Sequence, residues 1–440
     1  MKILFLTWEF PPFISGGLAM ACYGMVKSLL KKGVEFTLVL PTSADVYFHL
    51  VKPEDADQLT PIFIDDKTKS EFEYSLNNSN ISNIEFLKLL GVSETPETYL
   101  SSSDFVEFMS IERYFEVSNE INTKNILKEI KENILSSSGL FKKVREFSIK
   151  VSKIAKLVDF DCIHAHDWLC YPAGIVAANM SGKPLICHIH ATEFDRSGGT
   201  GDERIHKIEY AGLSLADRVI SVSNYTANII VNRYRVDTSK IRVVHNAFHL
   251  KTDNGEKKRI FKDPVILFLG RITLQKGPEY FLEVAKRVIE TYPLVRFIMV
   301  GTGDLAKRLI QKSAEYKLLT RFLFTGFMNR EEVEAILSAS DIMILPSVSE
   351  PFGIAPLEAM SFGIATIISK QSGVSEVVNN VYKVNFWDVE EMSNIILDLL
   401  SNPEKMREMG QKARQEVEKI QWDKSADLIL KCYKELLCSI

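Results

Sequence analysis

No stretch of the 440 residues approaches the roughly 18 consecutive apolar residues of a membrane span, which excludes a bundle of transmembrane helices. Cysteine is sparse: Cys22, Cys162, Cys170, Cys187, Cys432 and Cys438 include no C-x-x-C pair, so they read as reduced thiols in a core. A zinc site or a disulfide framework would need closer spacing. An excess of either charge is also missing. Against 57 acidic residues stand 53 Lys and Arg, a net charge of −4, and no overall basic field draws nucleic acid as the main partner. The opening MKILFLTWEFPPF lacks a basic region followed by a long apolar stretch and a cleavage site, and reads as a strand. A cytoplasmic protein is the expectation. Present instead are 46% apolar and 25% charged residues, an ordinary globular balance, in a chain long enough for two domains. An enzyme is the leading expectation.

Short β-rich runs alternate with helical periodicity. Lys2–Thr7 is followed by a Pro/Gly loop and a helical stretch over Leu18–Lys32, then by Glu35–Leu40. Cys162–Ala165, Leu185–His188, Arg218–Val222 and Ile241–Val244 continue the series. Such alternation predicts parallel strands with crossover helices, a doubly wound α/β sheet. The polar, Asn/Ser-rich segment 43–138 reads as an insertion, and Lys251–Pro264 reads as a linker. A second series then begins with VILFLG, RFIMVG, RFLFTG, DIMILP and Ala365–Ile368. The expected division is 1–250, 259–422 and a terminal helix in 423–440. Two Rossmann-like domains would face each other across a cleft at their strand ends, where ligands bind.

Several motifs invite other chemistry. Gly301-Thr302-Gly303-Asp304-Leu305-Ala306 fits the dinucleotide fingerprint G-x-G-x-x-A, but the next strand does not end in the acidic residue that the fingerprint wants. Asp159-Phe160-Asp161 resembles a metal-binding D-x-D, yet lies before a strand, at the end opposite the cleft. His164, His166, His188 and His190 form two H-x-H pairs at strand ends, where alternate residues share a face. No carboxylate or cysteine completes a set at metal spacing, so no metal is expected.

The cleft motifs are stronger. In PPFISGGL, Gly16 and Gly17 let backbone approach a ligand at a helix start. Arg271 and Lys276, in GRITLQKG, place two cations at the cleft mouth, suited to a diphosphate. In SVSEPFGIAPLE, Glu350 precedes a helix expected to begin near Ala355. The N–H groups of Gly353, Ile354 and Ala355 would be open to phosphate there, with Glu358 a turn further in.

In this order, PPFISGGL, HAHDW, GRITLQKG, VGTGD and EPFGIAPLE resemble a retaining glycosyltransferase of the GT-B fold. The glycogen/starch synthase and sucrose-phosphate-synthase-like families are the most similar group. The resemblance spans both domains apart from 43–138. It implies that Arg271 and Lys276 hold the diphosphate, Glu350 the donor sugar, and Glu358 the ribose. It implies that His166 contacts the sugar near its 6-hydroxyl, and that Gly16 and Gly17 lie by the donor phosphates. Gly301 and Gly303 would lie near the nucleotide, Phe327 beside the base, and the last helix back on the first domain. Glu9, His190 and Glu193 are candidates on the acceptor side. One departure stands out: glycogen and starch synthases carry K-x-G-G-L in the first loop, and here it is Ile14-Ser15-Gly16-Gly17-Leu18.

The implied reaction moves a hexose from a nucleotide-diphosphate sugar, UDP- or ADP-glucose, to a glucan or other sugar acceptor without a cofactor or metal. Arg271, Lys276 and the helix start would stabilise the leaving diphosphate. Double displacement would need a carboxylate nucleophile, for which Glu350, Asp167 and Glu193 are candidates; a front-face route needs none. A lipid-linked acceptor is a rival, prompted by the basic, amphipathic segment Leu140–Val158, which could meet a membrane surface. A rival of another class is a nucleotide-sugar-binding protein without catalysis.

Overall fold

Strand β1 (Lys2–Leu6) sends alternate side chains into two cores, Ile3 and Phe5 into one apolar cluster and Leu4 and Leu6 into the other. Both faces of its sheet are therefore covered, which is why the run is apolar throughout. The computed structural model of the chain describes residues 1–11, 17–41, 46–56, 59, 139–248 and 261–438, with 46–50 described as backbone. Gly16, most of the 43–138 segment and residues 251–260 of the expected linker lie outside the described residues.

The first sheet adds β2 (Glu35–Pro41), β3 (Val46–Val51), β4 (Cys162–His166), β5 (Leu185–Ile189), β6 (Arg218–Ser221) and β7 (Ile241–Val243). Its order is β3-β2-β1-β4-β5-β6-β7, parallel except for β3, which runs antiparallel to β2. The second sheet comprises β8 (Val265–Leu269), β9 (Arg296–Val300), β10 (Phe322–Gly326), β11 (Ile342–Leu345), β12 (Ala365–Ser369) and β13 (Tyr382–Val384). Its order, β10-β9-β8-β11-β12-β13, is parallel throughout and reverses direction at β8, the topology of a nucleotide-binding crevice. Two elements differ from the sequence reading. Strand β3 begins inside the stretch read as an insertion, and β13 is three residues long, too short for periodicity to mark.

Helices α1 (Gly17–Leu30), α2 (Leu140–Leu157), α3 (Asp167–Ser181), α4 (Glu193–Ser197), α5 (Glu203–Leu215) and α6 (Asn224–Tyr234) belong to the first domain. The second carries α7 (Pro278–Thr291), α8 (Ala306–Glu315), α9 (Arg330–Ser338), α10 (Ala355–Ser361), α11 (Val389–Ser401) and α12 (Pro403–Val417). The last helix, α13 (Trp422–Leu437), then returns to the first sheet. Trp422, Ala426, Ile429, Cys432, Tyr433 and Leu436 join Cys22, Met25 and Leu29 of α1 in the core behind β1. The two helices meet at Gly24, where a Cβ would lie 2.3 Å from the Trp422 indole nitrogen.

In α2, Phe141, Val144, Phe147, Val151 and Ile154 recur at helical spacing and are buried in the other core. The apolar stripe that suggested an interfacial helix is thus occupied by the protein's own interior, leaving a lysine-rich outer face. Among the described residues, no helix is long and apolar enough to cross a membrane. Five of the six cysteines are buried and Cys438 is exposed, which corrects the expectation that all six lie in a core.

The contact of α1 with α13 leads to a first prediction. Gly24→Leu overpacks it and should lower unfolding free energy by about 1–3 kcal/mol. Gly17→Ala, where a Cβ meets nothing within 4 Å, should cost nothing. Equal urea midpoints for the Gly24 variant and wild type would contradict the packing.

Candidate active site

The carboxyl ends of β8, β9 and β11 lie together, and their loops are welded by backbone. The Ile272 amide donates to Thr302 O at 2.8 Å and the Leu305 amide to Ile272 O at 3.2 Å. A Cβ on Gly301 would fall 1.9 Å from Gly270 O, and one on Gly303 2.2 Å from Ile272 O. Close packing of these two loops therefore accounts for both glycines of the fingerprint-like motif. Gly277 has φ 64°, and its Cβ would fall 1.9 Å from Pro346 O, so the turn carrying Lys276 presses on the loop after β11.

That loop carries Glu350, which is 5% exposed. Lys276 Nζ forms an ion pair with Glu350 Oε2, and Ser347 Oγ donates to the same oxygen at 3.3 Å. Arg271 is exposed at the end of β8 and reaches Gln275 Oε1 at 3.4 Å. Gly353, at φ 97°, turns the chain into α10, which starts at Ala355 with Ile354 as its cap. Glu358, in the first turn, accepts from Arg330 Nη1 at 3.1 Å. Burial pushes the Glu358 carboxyl up, and Arg330 opposes this. Phe327, just past β10, is 80% exposed, an open apolar face.

Facing these groups are the strand ends of the first domain. His166 ends β4 and is fully buried; Asp167 follows at φ 58°, a conformation costing a non-glycine residue on the order of 1 kcal/mol. The Asp167 carboxylate repays the strain by accepting from the His190 amide at 2.7 Å, tying the ends of β4 and β5 together. His164, His166, His188 and His190 stack in one block with ring centroids 4.3–5.3 Å apart. Burial lowers the pKa of all four, that of His164 to about 3, so the block is neutral. His166 and His190 thus lie side by side, as the two H-x-H motifs on adjacent parallel strands allow. Asp159 and Asp161 are at the other end of the sheet, binding the ammonium and amide of Lys2 at 3.0 and 2.8 Å.

Glu193 opens α4. Its Oε2 accepts from Arg196 Nε at 3.1 Å and its Oε1 from the Asp202 amide at 3.1 Å, while the buried Glu209 takes its own amide at 3.0 Å. Glu9 is partly buried after β1, its carbonyl accepting from Thr7 Oγ1 at 3.0 Å. Gly17 is exposed at the start of α1.

The sequence motifs do not show how the two domains meet. Ser349 Oγ donates to Asp195 and pairs with the Tyr225 hydroxyl at 3.0 Å, and Ser223 Oγ donates to Pro351 O at 2.6 Å. Glu350 is thus flanked on both sides by bonds from the first domain. Glu376 caps α6 from across the cleft, accepting from the Asn224 and Tyr225 amides at 2.9 and 2.7 Å and from His245 Nε2 at 2.7 Å. These partners are 124–154 residues apart, and only the free donors at the start of α6 hint at them.

Two doubly wound sheets facing each other through their strand ends define the GT-B class of fold. Residues 251–416 match the family model "Glycosyl transferases group 1", and 115–252 match "Glycosyltransferase Family 4". The chain is 22% identical over 425 residues to a glycogen synthase of Mycobacterium tuberculosis, covering 94% of this chain and 90% of that one. To an Escherichia coli UDP-Gal:alpha-D-GlcNAc-diphosphoundecaprenol alpha-1,3-galactosyltransferase it is 30% identical over 263 residues, covering 56% of this chain and 67% of the other. The solved structure of Anabaena HepE in complex with UDP and glucose superposes with a TM-score of 0.65 at 17% identity, over 99% of this chain and 100% of that one. The chain belongs to the GT-B glycosyltransferases.

The interdomain cap generates a pH prediction. Burial opposes ionisation of Glu376, but His245, the two amides and the Asn224 side chain hold its carboxyl down to about 2. A depressed carboxyl stabilises the fold above its ordinary value of 4.5 and loses that stabilisation as pH falls toward about 2. Glu376→Gln should therefore be less stable than wild type at neutral pH, the difference narrowing across that window. Denaturant midpoints measured along the pH series check it; a difference that widens in acid would contradict it.

Proposed function

We propose that the protein is a retaining hexosyltransferase that moves glucose from a nucleotide-diphosphate donor to an acceptor hydroxyl, with an α-glucan as the acceptor to test first. The observation that carries the reading is that Arg271, the Lys276–Glu350 ion pair and the α10 start all lie on the loops at the strand ends of the second sheet. A leaving diphosphate gains negative charge, and two cations with a helix amino end oppose that charge where it develops. In this reading no metal is required, since the cations fill that role. The acceptor assignment follows the likeness to glycogen synthase, and the donor follows that likeness and the UDP and glucose bound by HepE.

In this reading Lys276 leaves Glu350 for the diphosphate, and Glu350 turns to the sugar hydroxyls. In the same reading Glu358, now held by Arg330, takes the ribose hydroxyls. Of the three carboxylates that could act as nucleophiles, Asp167 is committed to the His190 amide and Glu193 to Arg196 and the Asp202 amide, while Glu350, once released by Lys276, is taken up by the sugar hydroxyls. That commitment favours a front-face route, in which the departing phosphate takes the acceptor proton and the anomeric configuration is kept.

A second reading keeps the same donor chemistry with a lipid-linked acceptor. It is favoured by the 30% identity to a galactosyltransferase whose named substrate is a diphosphoundecaprenol, and by the exposed Lys142, Lys143 and Lys156 on α2. Co-sedimentation with anionic vesicles separates the two: binding favours the lipid acceptor, and its absence the glucan.

Lys276→Ala and Glu350→Gln should each reduce transfer from UDP- or ADP-glucose by on the order of 10²–10³-fold with the fold intact by circular dichroism. The wild-type product should keep the donor's anomeric configuration by NMR. Near-wild-type turnover in either variant, or an inverted product, would overturn the proposal.

A further inference from the structure

The four stacked histidines form two hydrogen-bonded pairs. His164 Nε2 meets His188 Nδ1 at 3.2 Å, and the Tyr433 hydroxyl closes that pair at His164 Nδ1, 2.7 Å away. His166 Nδ1 meets His190 Nε2 at 2.9 Å. The outer atoms of this second pair, His166 Nε2 and His190 Nδ1, are buried and have no hydrogen-bond partner among the described residues. A neutral pair holds two ring protons, one of them in the shared bond. The other proton sits on one outer nitrogen, and the opposite outer nitrogen is bare.

Asp167 decides which end is which. Its carboxylate accepts from the His190 amide at 2.7 Å, which sets a negative charge on the His190 side of the pair and favours an N–H over a bare nitrogen on that ring. His166 is surrounded by His164, His188 and His190, by the ring of Phe5 and by the Cys22 thiol, and none of these is a carboxylate that would draw a proton to its outer nitrogen. The protonated outer nitrogen therefore belongs at His190, the residue whose backbone amide the carboxylate holds. We propose that His190, held by Asp167, is a positioning residue for His166: it accepts from His166 Nδ1–H, so that His166 Nε2 stands bare as an acceptor for a hydroxyl of the donor hexose. The identity of that ligand rests on the proposed function; the tautomer does not. The double tie between β4 and β5, one bond from the imidazole pair and one from Asp167, fixes the ring in place, and the strained Asp167 backbone serves that tie.

A cation held by Cys22, His166 and His190 is the competing use of these atoms, since their ligand atoms lie within 4.8 Å of one another. The environment of Cys22 disfavours it. Burial pushes that thiol up, and its Sγ is already in contact with Thr7 Oγ1 at 3.4 Å.

Ring-¹⁵N-histidine NMR of the full chain reads the tautomer without any substrate, with His166→Gln assigning the signals. His166 should carry its proton on Nδ1 in wild type, and the population should move toward Nε2–H in Asp167→Asn and in His190→Phe. A wild-type Nε2–H tautomer, or one unchanged in both variants, would overturn the proposal. So would stoichiometric zinc in the purified protein that is lost in Cys22→Ala. Kinetics supply the second readout, with UDP-glucose and its 6-deoxy analogue as donors. His190→Asn should lower kcat/KM about tenfold for UDP-glucose and by less than about twofold for the 6-deoxy donor. Equal losses on both would mark a merely structural residue and overturn it. If wild type transfers from neither donor, the functional reading fails while the NMR result still decides the tautomer.

Discussion

The ion pair between Lys276 and Glu350 is the contact on which the rest of the site depends. A half-buried cation and a buried carboxylate are costly to desolvate separately, and each is tolerated there because the other is present. Both sheets fix its position. The Glu350 amide donates to Gln371 O and its carbonyl accepts from the Gly373 amide, both at 2.9 Å, while its neighbours Ser349 and Pro351 are bonded from the first domain. Lys276 closes a short turn whose following glycine lies against Pro346 O, so its reach is set by backbone contact. In the proposed reading an arriving diphosphate finds a preorganised cation that has only to exchange one carboxylate for another negative group.

Polarity is divided across the cleft. The second domain presents Arg271, Lys276 and a helix amino end, whereas the first presents a block of neutral imidazoles packed against Phe5. An anionic part of a ligand is matched by one side and a hydroxyl-bearing part by the other. In the proposed reading the diphosphate of the donor meets the second domain and its sugar meets the first.

Much of the fold was legible because the strand runs are short, apolar and regularly spaced, and because glycine punctuates their ends. VILFLG, RFIMVG and DIMILP each became a strand of the second sheet. The cleft residues were legible through motif spacing: Lys276 and Glu350 are 74 residues apart, yet each closes a strand-end loop, and adjacent parallel strands bring such loops together. Strand β3 was hidden by the polar segment that follows it, and β13 by its brevity. The Asp167 backbone, the Arg330–Glu358 pair and the Glu376 cap carry no local pattern, since each depends on a partner chosen by tertiary packing. The amphipathic stripe of α2 was visible, but periodicity alone does not say whether such a stripe faces a membrane or a core.

The decisive measurement is a structure of the protein with a bound nucleotide-diphosphate glucose. Lys276 Nζ and Arg271 should sit on diphosphate oxygens, Glu350 should be released toward the sugar hydroxyls, and the sugar should lie against His166. A donor bound away from these strand ends, or a Lys276 still on Glu350 and out of reach of the phosphates, would contradict this reading.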